Sequence, residues 1–262
     1  MFSLMSLWPR GWNRAQRSSA AMASAALLLI VVLWGLAWPL RYAPEPIGPN
    51  AAAFAEGARL TVLLTLVSGV AGIVLGVVAA LGRVSSVAAL RAVAGVYVWM
   101  IRGTPLLVQV LFVYFALPAL VPQLQLSDFT SACVALALNV GAYNAEAIRA
   151  GLLAVPKGQL EAARSLGLNR WFTFADVTFP QAFKISLPPL VNNVVALLKD
   201  SSLAYAIGVV ELTNVGNRIQ AATFQPAATL TTVAVIYLLL TTVMTQFSDA
   251  VERRFDIEGK LR

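Results

Sequence analysis

Four charged side chains stand in or at the edge of otherwise apolar runs of this chain: Arg102, Glu146, Lys199 and Asp200. A charge at the centre of a bilayer costs at least about 2.5–3.5 kcal/mol on insertion scales, so intramembrane charges ordinarily mark a pathway or a paired site. Two of the four are cations and two are anions. An amino acid zwitterion needs one of each sign. The plainer alternative is that the four neutralise one another, and the sequence leaves both readings open. Arg102 belongs to the run Arg102-Gly103-Thr104-Pro105. Pro105 has no N–H for the carbonyl of Ile101, so a helix must kink or open there. Arg102 lies about ten residues into its span, or roughly 15 Å at 1.5 Å per residue, which is near mid-depth. Broken helices and buried charges at that depth line cavities. Asn139, Tyr143 and Glu146 fall at i, i+4 and i+7 on one helix face, while Asn193 pairs with Asp200 and Asn192 with Lys199 at seven-residue spacing. The candidate pathway residues are therefore Arg102, Thr104, Asn139, Glu146, Lys199 and Asp200.

Other chemistries are absent from the sequence. There is no histidine, so imidazole acid–base catalysis and the usual zinc sites do not arise. The single cysteine, Cys133, excludes an intrachain disulfide and reads as an inert thiol in an apolar run. No phosphate loop of the type G-x-x-x-x-G-K-[ST] is present, so this chain does not hydrolyse ATP through one, and no catalytic or metal residue is assigned.

The elements that must position these residues are membrane helices. The 262 residues are 59% hydrophobic and 12% charged, where soluble domains carry about 25% charged residues, so the chain is an integral membrane protein. Six spans are expected: Ala20–Leu40, Leu60–Leu81, Ala92–Leu120, Phe129–Ile148, Ile185–Leu198 with an extension, and Ala228–Phe247. The first is longer than a signal-peptide core and has no A-x-A site after it, so it reads as a retained helix. With the N-terminus inside, 14 of the 19 Lys and Arg fall in inside segments, among them Arg10, Arg14, Arg17, Lys260 and Arg262. That bias puts both termini in the cytoplasm. It also explains the net charge of +7 without a nucleic-acid partner. The outer loop Tyr42–Asn50 holds Pro44, Pro46 and Pro49 and is a stiff connector. Residues 1–55 read as an N-terminal cytoplasmic segment, an extra transmembrane helix and an outer loop, 56–250 as the core, and 251–262 as a cytoplasmic tail. Within the core, Ser68, Gly72, Gly76 and Ala80 repeat every four residues and form a stripe for close helix packing, inside the subunit or against a second one.

Between the fourth and fifth spans lies a polar, amphipathic island, Gly158 to Pro180. Leu160 to Leu166 can form a short helix with Glu161 in its first turn and the small Ala162 and Ala163 exposed to close approach. Gly167 suits the left-handed cap that ends it, and Asn169 can cap the next helix. Pro180, Pro188 and Pro189 mark re-entry into the membrane. Two roles fit equally on physical grounds: a dock for another protein, or an interfacial helix lying on lipid.

EAARSLG followed by FPQAF resembles the EAA loop of permease subunits of ATP-binding-cassette importers. IRGTPLLVQ, YNAEAIRAGLLAVPKGQLEAA and LLKDSSLAYAIGVVEL are similar to the polar amino acid branch of that family, and the matches run in order from about Leu60 to Phe247. The departures are mild: Lys199-Asp200-Ser201-Ser202 stands where Lys-Asp-Thr-Ser is common, and Phe179-Pro180 where Leu-Pro is common. The resemblance implies an all-α, type I importer-like transmembrane domain of about six helices, a five-helix core plus the N-terminal one, with a cytoplasmic coupling helix. It implies a bacterial inner-membrane permease that is not itself an enzyme. Its partners would be a cytoplasmic ATPase dimer that binds ATP and Mg, a second permease subunit, identical or paralogous, and an extracytoplasmic substrate-binding protein. The coupling role falls on Gly158, Glu161, Ala162, Ala163 and Gly167. The rivals are an ion-coupled secondary carrier or channel, a membrane anchor or sensor subunit, and an importer of another small zwitterion such as an opine.

Overall fold

The computed structural model of the chain describes residues 11–255, and every regular element within them is helical. Arg10 and the end of the tail, with Lys260 and Arg262, lie outside the described residues. Asn13 starts the first helix, α1 (Arg14–Gly35), through a reciprocal capping box with Gln16. A short α2 (Ala37–Leu40) and the proline-bearing connector lead to α3 (Ala51–Val84). At 34 residues α3 is about 51 Å long, more than the roughly 30 Å hydrocarbon core requires.

The expected third span is two helices rather than one kinked one. α4 (Ala88–Arg102) and the segment from α5 (Leu106–Leu111) to α6 (Leu117–Leu120) meet at 110°. Gly103 ends α4 and Pro105, in extended conformation, begins α5. Next come α7 (Asp128–Leu153), α8 (Lys157–Ser165), the single turn α9 (Arg170–Phe172), and α10 (Phe179–Asp200). Pro180 occupies the first turn of α10, where its missing N–H is harmless. Pro188 and Pro189 do not mark a boundary; they lie inside α10, which continues through them. A 3₁₀ segment (Ser201–Ile207) then leads to α11 (Leu212–Thr223), 50° off the preceding axis, and to α12 (Pro226–Arg254).

Among the described residues three helices are long and apolar enough to cross a membrane, or five with each bent pair taken as one span. The fourth expected span, α7, has the length but not the apolarity. Its position accounts for that: twelve of its residues are buried, and α3, α10 and α4 shield it from lipid. The small-residue stripe of α3 makes this packing possible within the subunit. An added Cβ at Gly72 would stand 2.2 Å from Val140 Cγ1, and one at Gly76 would stand 2.5 Å from Asn144 Cβ. A second close approach joins α7 to α10, where a Cβ on Gly151 would meet Ser186 Oγ at 2.0 Å. The N-terminal helix α1 packs on α12, turning Ser18, Ala21 and Ala25 inward.

Candidate functional site: a broken helix, a central cavity and a projecting helix

The break between α4 and α5 frees backbone carbonyls that a continuous helix would use. Gln109 takes them up. Its Nε2 lies 2.7 Å from Ile101 O, 3.1 Å from Thr104 O and 2.9 Å from Thr104 Oγ1. Its Oε1 accepts from Asn139 Nδ2 of α7 at 3.0 Å. One side chain thus satisfies the break and ties it to the central helix. Thr104 Oγ1 also donates to Met100 O at 3.0 Å.

Beside the break lies a cavity of about 380 Å³, lined by Thr104, Asn139, Tyr143, Asn193 and Asp200 among others. That volume is at the small end of the roughly 300–1,000 Å³ of small-molecule sites. Asn193 Nδ2 donates to Asn144 Oδ1 at 2.9 Å, holding α10 to α7 along the cavity wall. Asn144 is fully buried, and its own Nδ2 has no partner among the described residues.

The six expected pathway residues divide. Thr104, Asn139 and Asp200 line the cavity. Arg102 is exposed at its rim, with its guanidinium 5.2 Å over the Tyr143 ring. Glu146 lies outside the cavity in an ion pair with Arg149, Nε to Oε2 being 3.0 Å, and Arg83 of α3 approaches to 3.9 Å. Lys199 and Asn192 are exposed and face away, so the seven-residue pairing of α10 separates as expected but only its Asn193–Asp200 edge is turned inward. The cavity therefore holds one carboxylate with one cation at its rim, not two charges of each sign. Among the described residues Asp200 has no salt-bridge partner.

The polar island forms the projecting helix. α8 starts at Lys157, earlier than expected, which moves Glu161 into its second turn. Gly158, Glu161 and Ala162 are exposed, whereas Ala163 is turned inward and buried. Gly167 adopts φ +80°, and the amides of Gly167 and Leu168 bond to Arg164 O and Ala163 O at 3.0 and 3.1 Å. That is a Schellman termination, which glycine makes without strain. Asn169 Oδ1 then accepts from Phe172 N at 3.0 Å, as expected of a cap. Leu166 and Trp171 are 83% and 68% exposed, an apolar surface on a polar segment. Behind α8 runs a groove of about 940 Å³ lined by Val84, Leu152, Leu160, Arg164 and Phe174, so the C-terminal ends of α3 and α7 both reach this helix.

Sequence reasoning missed three polar anchors. Gln109 had one signal, an amide four residues after a proline break. Asn144 stands five residues from Asn139 on the same helix. Glu211 precedes Leu212 as an N-cap, and its carboxylate accepts from Thr213 N and Asn214 N, both at 2.8 Å, and from Tyr237 Oη at 2.9 Å. Thr61 Oγ1 accepts from Leu212 N at 3.2 Å, completing a buried junction of α3, α11 and α12 with no cation in it among the described residues.

Comparison with known proteins agrees with this architecture. The profile of the family described as binding-protein-dependent transport system inner membrane component matches residues 72–257. The chain is 41% identical over 202 residues to the glutamine transport system permease protein GlnP of Escherichia coli (strain K12), covering 77% of this chain and 92% of that one. It is 41% identical over 201 residues to the L-cystine transport system permease protein TcyB of Bacillus subtilis (strain 168), covering 76% and 85%. Among solved structures, an amino acid ABC transporter with histidines superposes with a TM-score of 0.74 at 37% identity, over 79% of this chain and 95% of that one. The MetNI methionine ABC transporter, at 21% identity and a TM-score of 0.66 over 81% and 99%, shares the fold. The chain belongs to the binding-protein-dependent transport system inner membrane component family.

Proposed function

We propose that this chain is the permease subunit of an ATP-driven importer of polar amino acids and forms half of its translocation pathway in a bacterial inner membrane, both termini facing the cytoplasm. The observation that carries this reading is the 41% identity, spanning most of both chains, to glutamine and cystine permeases. Equal identity to two permeases of different cargo sets the claim at the level of the amino acid class.

The chemistry of the cavity suits such a cargo. Asp200 offers a carboxylate to an α-ammonium group, while Thr104, Asn139 and Asn193 offer polar groups to the rest of the solute. Arg102, at the rim on Tyr143, supplies the charge complementary to an α-carboxylate. The α4–α5 break is the hinge at which the cavity opens to one side or the other. α8, with Gly158, Glu161, Ala162 and the Gly167 termination exposed, docks on a cytoplasmic ATPase dimer, and Ala163 sets its seating. ATP and Mg belong to that partner. A second permease subunit completes the pathway, and a substrate-binding protein delivers the solute from the opposite side.

Reconstitution into proteoliposomes with the co-purifying ATPase and a panel of binding proteins tests this. Amino-acid-stimulated ATP hydrolysis that is lost when Glu161 and Gly167 are both altered is the expected result. Solute uptake by the chain alone, driven by an ion gradient, would replace this reading with that of a secondary carrier. Unaltered transport after neutralising Arg102 and Asp200 together would remove the cavity assignment.

A further inference from the structure

A second cavity, of about 590 Å³, opens between α1, α3 and the start of α11 and is lined by Trp34, Glu56, Arg59, Leu60, Leu63 and Val210 among others. Glu56 precedes Val84 by 28 residues in one helix, about 42 Å at 1.5 Å per residue. Val84 reaches the groove behind α8, so this cavity belongs to the opposite rim of the apolar bundle. Its charges are arranged unusually. Glu and Arg three residues apart on a helix are close enough to form an ion pair. Here Arg59 turns instead to α1: its Nε donates to Leu33 O at 3.2 Å, and its guanidinium lies 4.8 Å over the Trp34 ring. The remaining guanidinium nitrogens have no partner among the described residues. Glu56 is exposed and likewise forms no hydrogen bond or ion pair among them. A cation held by α1 and a separate, unpaired anion thus sit above an apolar wall of Leu60, Leu63 and Val210, with a tryptophan of the kind that lies at a membrane interface.

We propose that this cavity binds a phospholipid whose head group carries both a phosphate and a primary ammonium. The phosphate meets the Arg59 fork, the ammonium meets Glu56, and an acyl chain runs down the Leu60–Leu63 face. A phospholipid with an uncharged head would satisfy Arg59 but leave Glu56 facing an anion. A free amino acid has the two charges but nothing to cover the leucine wall. Trp34 of α1 supplies one side of the site, and like Glu56, Arg59, Leu60 and Leu63 of α3 it precedes the family-matched segment, which begins at residue 72.

The test is native mass spectrometry of the assembled transporter released from micelles containing equimolar phosphatidylethanolamine and phosphatidylglycerol. The wild-type complex is expected to retain phosphatidylethanolamine about fivefold over phosphatidylglycerol, the ratio given by one exposed ion pair at the upper end of its range. Glu56→Gln, which removes the charge of a side chain with no protein partner among the described residues, is expected to bring that ratio close to one while leaving the assembly intact. Equal retention of both lipids by the wild type would overturn the proposal, as would an unchanged preference in Glu56→Gln. Displacement of the lipid by millimolar free glutamine would reassign the cavity to solute. Disulfide cross-linking of two copies through Glu56→Cys in a Cys133→Ala background would reassign it to a subunit interface.

Discussion

Replacing Gln109 by leucine tests whether the helix break is a built feature of the fold or an incidental proline kink. The amide has two N–H groups for three acceptors and one carbonyl for Asn139, so it makes at most three full hydrogen bonds. Thr104 is exposed and water can replace its bond. Ile101 and Asn139 are 9% and 8% exposed; the Asn139 amide would lose this partner, and the Ile101 carbonyl would keep only a long bond of 3.5 Å from Thr104 Oγ1. Interhelical polar bonds in membranes are worth about 0.6 kcal/mol on average and about 1.7 at most, so two irreplaceable ones amount to about 1–3 kcal/mol. Leucine nearly matches glutamine in volume, which keeps cavity terms small. A double-mutant cycle with Asn139→Leu, read by denaturant unfolding of the solubilised chain, isolates the Gln109–Asn139 contact. A coupling of about 0.6 kcal/mol or more is expected, together with a loss of substrate-stimulated ATP hydrolysis in Gln109→Leu. A coupling of zero, with stimulation intact, would refute the role of Gln109 in holding the break.

The α3–α7 contact predicts a sign difference between two glycines: Gly76→Ala meets Ala145 N and Gly141 O at 3.2 Å as well as Asn144 Cβ and should lower stability by about 1 kcal/mol net of helix propensity, whereas Gly95→Ala meets nothing within 4 Å and should raise it by about the same amount in the same unfolding assay. Gly167→Ala places a side chain at φ +80° at a local cost of about 1–2 kcal/mol, so the Leu168 amide should exchange hydrogen faster and stimulated ATPase activity should fall while assembly persists. Gly151→Ala drives a methyl into Ser186 Oγ and to 2.8 Å from Ala182 O, and should impair coupling more than solute binding; Ser186→Gly, which clears the nearer clash, should restore part of it, and equal loss of binding and coupling would argue against this separation.

Much of the architecture is legible in the residues because each element rests on local chemistry. Apolar runs give the helices, Gly167 and Asn169 give the ends of the projecting segment, and Pro105 gives the position of the break. The angle of the break is not local, because it depends on Gln109 reaching a residue thirty positions away. The four charges show the same boundary. Lys199 and Asp200 are adjacent, so they point about 100° apart on a helix and only one can face the cavity; which one depends on how α10 packs. Glu146 stands three residues before Arg149, and that local pairing is the one that forms. Glu211 is not legible in the sequence because its partners Thr61 and Tyr237 lie on other helices, 150 and 26 residues distant. The stripe on α3 announces a close contact but carries no mark of which helix fills it.

The way α7 is built bears on how distant ends of such a subunit act together. It carries Asn139 and Tyr143 at the cavity, Gly141 and Asn144 against α3, Gly151 against α10, and Leu152 at the groove behind α8. From Asn139 to Leu152 is about 20 Å of uninterrupted helix. Contacts made through glycine and backbone leave little room to slide, since an ångström of shift along such a seam brings main-chain atoms into collision. Displacement of α8 would therefore move α7, α3 and α10 as a body, and the compliant place is where the helical ladder is interrupted, at Thr104-Pro105, just past the last α4 bond from Gly103 N to Trp99 O. The polar tie from Gln109 to Asn139 then sits between that packed body and the break proposed as its hinge. A break held by a replaceable side-chain bond can open and reclose, whereas one held by tight backbone packing would be fixed in a single state.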